Sequence, residues 1–205
     1  TALFFGQAGF LEEDIEESYH QQLKRHYSYL KHKHNLSPIS KNTFQFFRMR
    51  PNNFPTIRIA QLASLTFTHQ NLFSKLMGIS KKEDFYKLFS FEVDEFWKTH
   101  YTFESESKKS CKKLSKSFID LILINTVIPL KFVYLESRGK ADEEQIMQLI
   151  KQVSLEKNSI ISNFSNLKIK SKNALESQAL LELNNNYCTK KRCLQCAIGN
   201  SFLRI

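Results

Sequence analysis

"IDLILINTVIPLKFVY", residues 119–134, is the longest apolar run in a chain of 205 residues, and its reading decides the fold. A helix that spans a bilayer needs about 20 predominantly apolar residues. This run is shorter and carries Asp120, Asn125, Pro129 and Lys131. It reads as a buried core helix, Ile119 to Leu135, with Asn125 satisfying a hydrogen bond in the core or lining a pocket. No membrane association follows from it.

Outward from that helix the pattern stays helical. Leu11, Ile15, Tyr19, Leu23, Tyr27 and Leu30 recur at steps of four and three, which predicts a helix from Leu11 to His34. Its acidic first turn (residues 12–17) and basic last turn (Lys31 to His34) suit the helix macrodipole. Pro55 fits a first helical turn, because no N–H is needed there, so a helix begins near Asn53 to Pro55. Ser80 and Glu83 have capping-box spacing ahead of Phe85, Leu88 and Phe89. A further aromatic helix holds Val93, Phe96, Trp97 and Tyr101, and helical periods recur over 142–153 and 173–184. The Lys-rich stretch 103–117 reads as a linker, a loop or the lead into the central apolar helix, and strand-like alternation is confined to "LKIKS". With five Gly and four Pro the chain lacks the turn density of an all-β design. The expected fold is all-α, a single helical domain over 1–205 with about six to eight helices around the central one.

The net charge of +10 points to a polyanionic partner, nucleic acid above all, or to a solvated Lys-rich surface from compositional bias, since 23 of the 30 basic residues are Lys. Three of the seven arginines, Arg48, Arg50 and Arg58, fall within 11 residues around the expected helix start beside Asn53. Arg offers a planar bidentate fork where Lys offers a point charge. A helix start adds unpaired N–H groups, so the combination suits a phosphate or carboxylate. The opposing reading is an internal salt-bridge network of these arginines with Glu or Asp elsewhere, for example the acidic residues 12–17. A second set of cations, Lys190, Lys191 and Arg192, lies inside the cysteine cluster "YCTKKRCLQC", residues 187–196.

That cluster spaces Cys188, Cys193 and Cys196 as C-x4-C-x2-C. A structural zinc or an iron–sulfur cluster takes four ligands, so either would need a fourth from Cys111 or a histidine. Packed structural thiols or redox-active thiols are the alternatives. The six histidines lack the H-E-x-x-H spacing of a zinc hydrolase, and the four within residues 20–34 read as a solvated helix face. No Walker loop, G-x-S-x-G turn or glycine-rich dinucleotide turn occurs, so no catalytic group is nominated. Four unevenly placed cysteines do not make a secreted disulfide scaffold, and with no signal peptide in view a reducing, cytoplasmic setting is expected.

Five stretches carry a resemblance: "LFFGQAGFLE", "RMRPNNFPTIRIAQLASL", "FWKTHYTF", "LILINTVIPLKFVY" and "ESQALLELNNNYCTKKRCLQCAIGNSFL". In this order they resemble a bacterial family catalogued as a domain of unknown function, number 2851. The matching positions are Arg48, Arg50, Pro51, Asn53, Phe54, Pro55, Arg58, Asn125, Pro129, Ser177, Gln178, Cys188, Cys193, Cys196 and Gly199. The resemblance implies a longer protein with a β-containing, nuclease-like N-terminal half, consistent with the missing initiator Met, and makes this chain its helical C-terminal part. Two functional readings follow: a non-catalytic basic module that binds nucleic acid or another phosphate-bearing partner, and a scaffold for the N-terminal remainder of the same chain. A metal-stabilised domain is a third. The family supplies no residue roles.

Overall fold

A computed structural model describes residues 1–140 and 142–203. The described residues are helical throughout, with no strand beyond one isolated antiparallel bridge between His100 and Glu106. In order the helices are α1 (Ala2–Gln7), α2 (Ser18–His34), α3 (Pro55–Thr68), α4 (Leu72–Gly78), α5 (Lys82–Leu88), α6 (Glu95–Thr99), α7 (Lys116–Ile122), α8 (Ile128–Ser137), α9 (Glu143–Gln152), α10 (Ser159–Asn166), α11 (Ala174–Glu182) and α12 (Ala197–Leu203). The all-α expectation holds, and the number of helices exceeds it because short ones such as α1 and α6 leave little periodicity to read. The chain divides into two compact units, one built from residues 1–72 and 88–114, the other from 73–87 and 115–205.

The first unit has an aromatic core. Phe5 stacks on Trp97 at 5.0 Å, and Phe103 packs edge-on to both. Such pairs contribute about 0.5–1.5 kcal/mol each beyond the area they bury. The "LFFGQAGFLE" stretch is explained by this packing. A Cβ on Gly6 would stand 2.1 Å from the Tyr27 ring, so α1 lies on α2 only because Gly6 has none. Gly9, at φ +74°, makes the turn that follows, and a Cβ there would meet the Ile39 carbonyl at 2.4 Å.

The helix expected from Leu11 begins later, at Ser18. Glu17 caps it by accepting from the His20 N–H. The acidic residues before it lie outside the helix, where Asp14, Glu12 and Glu13 pair with Lys24, Lys31 and Lys41. Those ion pairs draw the carboxylates across to lysines elsewhere in the unit, an alternative to the dipole that periodicity does not reveal. The start of α3 falls at Pro55 as expected.

In the second unit, the opening stretch belongs to one continuous helix, Lys116–Ser137, made of α7, a π-helical turn over Leu123–Val127, and α8. Its buried positions are Ile119, Asp120, Leu123, Ile124, Val127, Ile128 and Lys131, a strict repeat of four. A straight α-helix advances about 100° per residue, so twelve residues overshoot three turns by about 120°. The extra residue of a π-turn removes about 100° of that, which holds the stripe on one side. Asn125 lies in this π-turn. Contrary to the expectation of a core hydrogen bond, it is exposed and donates to the Leu121 carbonyl one turn back.

With its flanking turns this helix reaches 22 residues, longer than the apolar run alone, and it is long and apolar enough to cross a membrane by length and composition. A core helix passes the same test, and 39% of its most apolar window is buried. The covered face holds two charged side chains with specific partners. Lys131, 2% exposed, donates to the carbonyls of Met77 and Ile79 at the end of α4. Asp120 accepts from the Tyr86 hydroxyl. The Ser80–Glu83 capping box does not form; the Lys82 N–H is taken by the Gln152 side chain. Leu149, Val153, Ile161 and Ala174 complete the core of this unit, with α11 capped by Asn173.

Candidate functional site

The arginine segment lies in the first unit. Phe46 turns inward onto Phe10 and Phe54, which leaves the next residue, Phe47, pointing out and 81% exposed. Arg48 sits at φ +62°, a left-handed backbone that a side chain larger than Asn rarely adopts. Its guanidinium lies over the Phe47 ring, 5.2 Å from the centroid. Arg50 is exposed and opens the 3-10 turn Pro51–Asn53 that leads into α3. The local chemistry is therefore an exposed aromatic face, one cation stacked on it, and a second cation two residues on.

Arg58 has a different environment. It is half-buried and donates to Asn53 Oδ1 at 2.6 Å and to Gln61 Oε1 at 2.8 Å. Gln61 in turn donates to the Lys112 carbonyl at 2.7 Å. Burial pulls the guanidinium below its ordinary pKa. Arg58 and Asn53 thus tie the arginine segment to α3 and to the 107–114 stretch.

Five carboxylates of this unit are directed at lysines. Besides the three pairs before α2, Glu92 and Glu95 accept from Lys98, which holds both carboxyls below their usual range. Among the described residues Arg48 and Arg50 form no ion pair. Residues 12–14, offered as partners for the arginines, pair with lysines.

The cysteine cluster lies in the second unit. Helix α11 runs into a π-helical turn over Leu183–Cys188, and the Lys191 N–H closes a turn onto the Cys188 carbonyl. Cys188 and Cys193 are exposed, Cys196 is half-buried, and all three thiols are free. A Cβ on Gly199 would stand 2.3 Å from the Cys193 carbonyl, so α12 rests directly on the Cys193–Gln195 turn. Lys190 donates to Asn186, while Lys191 and Arg192 are exposed. Among the described residues no group of three His, Cys, Asp or Glu side chains is placed to hold a metal. Cys111 belongs to the first unit, where it is exposed. Of the histidines on α2, His26, His32 and His34 are exposed, whereas His20 is fully buried and bonded to the Phe10 carbonyl.

Periodicity and motif spacing did not single out a cleft of about 800 Å³ in the second unit, lined by α5, α7 and residues 154–157. The Tyr86 hydroxyl donates to Asp120 at 2.7 Å, and both Lys82 and Lys116 place their ammonium groups against the Tyr86 ring, at 5.5 and 5.6 Å from its centroid. Burial first, and the bond to Asp120 second, push the Tyr86 phenol well above its ordinary pKa. A signal was present: Lys82 and Tyr86, and Lys116 and Asp120, are each four residues apart on their helices.

A family model described as "Protein of unknown function (DUF2851)" matches residues 1–159. That match spans the arginine segment and the central helix and ends before Ser177, Gln178, the three clustered cysteines and Gly199. No curated protein and no solved structure matches the chain.

Proposed function

Since the chain belongs to DUF2851, a family of proteins of unknown function, we propose on the geometry of its arginine segment that it is a non-catalytic basic module that binds single-stranded nucleic acid. Arg48 and Arg50 meet backbone phosphates, and Phe47 offers a stacking face for a base. The observation that carries this reading is the exposed Phe47 ring with the Arg48 guanidinium over it and no carboxylate paired to either cation. Guanidinium pairs with phosphate bidentately, and stacking of a base on an aromatic ring contributes about 1–3 kcal/mol. The left-handed Arg48 backbone, a conformation that costs about 1–3 kcal/mol, sets the side chain beside the ring. Arg58 and Asn53 act as positioning residues that hold the segment on α3. Lys190, Lys191 and Arg192, also exposed, are a second set of cations for the same kind of partner.

The test is fluorescence anisotropy with a labelled single-stranded oligonucleotide over a range of salt. Each neutralised phosphate contributes about 0.7 to the slope of log affinity against log salt. Arg48→Ala with Arg50→Ala should lower affinity and reduce that slope by about 1.4. Phe47→Ala should weaken binding by about 1–3 kcal/mol and leave the slope unchanged. Absence of binding at low salt, or binding indifferent to all three changes, would remove this reading and leave the scaffold role, in which the segment serves only the packing of its own chain.

A further inference from the structure

The second unit contains a built cleft that the nucleic-acid reading does not use, and its chemistry is specific enough to name a ligand class. We propose that the cleft formed by α5, α7 and residues 154–157 binds a phosphate ester of a hydroxylated small molecule, such as a sugar phosphate or a nucleotide.

The volume, about 800 Å³, suits a ligand of that size. The cleft carries cations. Lys82 from α5 and Lys116 from the first turn of α7 converge on the Tyr86 ring, and Lys157 lines the same space. It also carries a buried carboxylate. Asp120 is 5% exposed, and one of its oxygens is committed to the Tyr86 hydroxyl. Its second oxygen has no protein donor among the described hydrogen bonds and is not among the sealed polar atoms of the core. In a cleft-lining residue this is an acceptor open to a ligand hydroxyl. Leu121, Ile124 and Leu155 supply apolar wall for a carbon skeleton.

Spacing relates the cations to the carboxylate. Lys116 and Asp120 are separated by four residues of α7, which is about 6 Å along the helix, close to the reach from the phosphate of a sugar phosphate to its ring hydroxyls. The remaining carboxylate near the lysines, Glu156, already accepts from Asn158 and Gln178. Glu83, on the rim, is exposed to solvent. A bare anion would gain only the lysines, and an uncharged sugar only the Asp120 acceptor. The ester gains both.

Isothermal titration calorimetry on the full chain tests this with four probes: ribose 5-phosphate, adenosine 5′-monophosphate, ribose and inorganic phosphate. At least one ester should bind saturably and at least about tenfold more tightly than ribose or inorganic phosphate. Preference for adenosine 5′-monophosphate would identify a nucleotide, and equal binding a sugar phosphate. Asp120→Asn, which keeps an acceptor for Tyr86, should cost the ester about tenfold or more and leave inorganic phosphate unchanged. Lys82→Ala with Lys116→Ala, at positions outside the core, should weaken ester and inorganic phosphate together, and thermal melts confirm that each variant folds. Arg48→Ala with Arg50→Ala should have no effect, which separates this site from the arginine segment. Failure of both esters to saturate, equal affinity for ester and inorganic phosphate, or loss of binding only in the arginine variant would each overturn the proposal.

Discussion

Lys131 is the residue on which the reading of the central helix is most exposed to test. Its ammonium is buried with no carboxylate, and two carbonyls at the end of α4, of Met77 and Ile79, are its hydrogen-bond partners. Replacement by Met preserves length and flexibility. Two carbonyls then lose a donor at about 1–3 kcal/mol each, while the burial of an ammonium, a penalty of several kcal/mol, disappears. The net expectation is a destabilisation of about 1–3 kcal/mol at neutral pH. The pH dependence is the sharper readout. Burial lowers the Lys131 pKa below its ordinary value of 10.5, so between the two values the unfolded chain binds more protons than the folded one. Stability of the native protein therefore rises with pH in that window, by at most about 1.4 kcal/mol per pH unit from this group. The amine that results still donates to both carbonyls. Lys131→Met lacks this contribution, so its deficit relative to the native protein should grow as pH rises from neutrality toward 10.5. Urea denaturation of both proteins across that range measures the difference, in which the other lysines and the tyrosines cancel. A deficit that is flat with pH, or one that shrinks, would refute the placement of a cationic Lys131 in the core.

Two further outcomes follow from packing. Gly6→Ala should destabilise by about 1–3 kcal/mol through overpacking against Tyr27, despite the better helix propensity of Ala, and the loss measured by chemical denaturation should shrink in a Tyr27→Leu background. Deleting Asn125 should remove the extra residue, turn Leu123–Val127 into regular α-helix and keep the two ends of the buried stripe in register, so the second unit should still unfold cooperatively, and Asn125→Ala should cost less than about 1 kcal/mol, because the side chain is exposed.

Several elements were legible because their signals are local. Pro55 starts α3, Asn173 caps α11, and the period over 142–153 becomes α9. What failed was competition between partners. Glu17 was readable as part of an acidic first turn, yet it is the cap, and the carboxylates before it pair with lysines 10 to 28 residues away. The Ser80–Glu83 box lost to Gln152, 70 residues distant. The combination of 73–87 with 115–205 in one compact unit is a tertiary choice that no window of sequence encodes. At the arginine segment the residue types were visible from the start. The bonds of Arg58 to two neutral amides, Asn53 and Gln61, were not.

The stretches that mark the family divide in the same way when their side chains are followed. Phe5, Gly6 and Gly9 allow α1 to lie against its neighbours; Trp97 and Phe103 fill the core they create. Those positions answer to steric demand, where a single Cβ at Gly6 would stand 2.1 Å from a ring. Arg48 and Arg50, with Phe47 just before their stretch, answer to no such demand, for they are exposed, and Arg48 holds a strained backbone. Exposure of an aromatic ring forgoes about 1.5–3 kcal/mol of burial, part of which the Arg48 guanidinium over the ring returns. In the second unit Asp120, just before the apolar stretch, and Tyr86 form a polar pair. An apolar pair of the same shape would pack this face without desolvating a carboxylate, and the ligand proposed for the cleft would give that carboxylate a use beyond its bond to Tyr86.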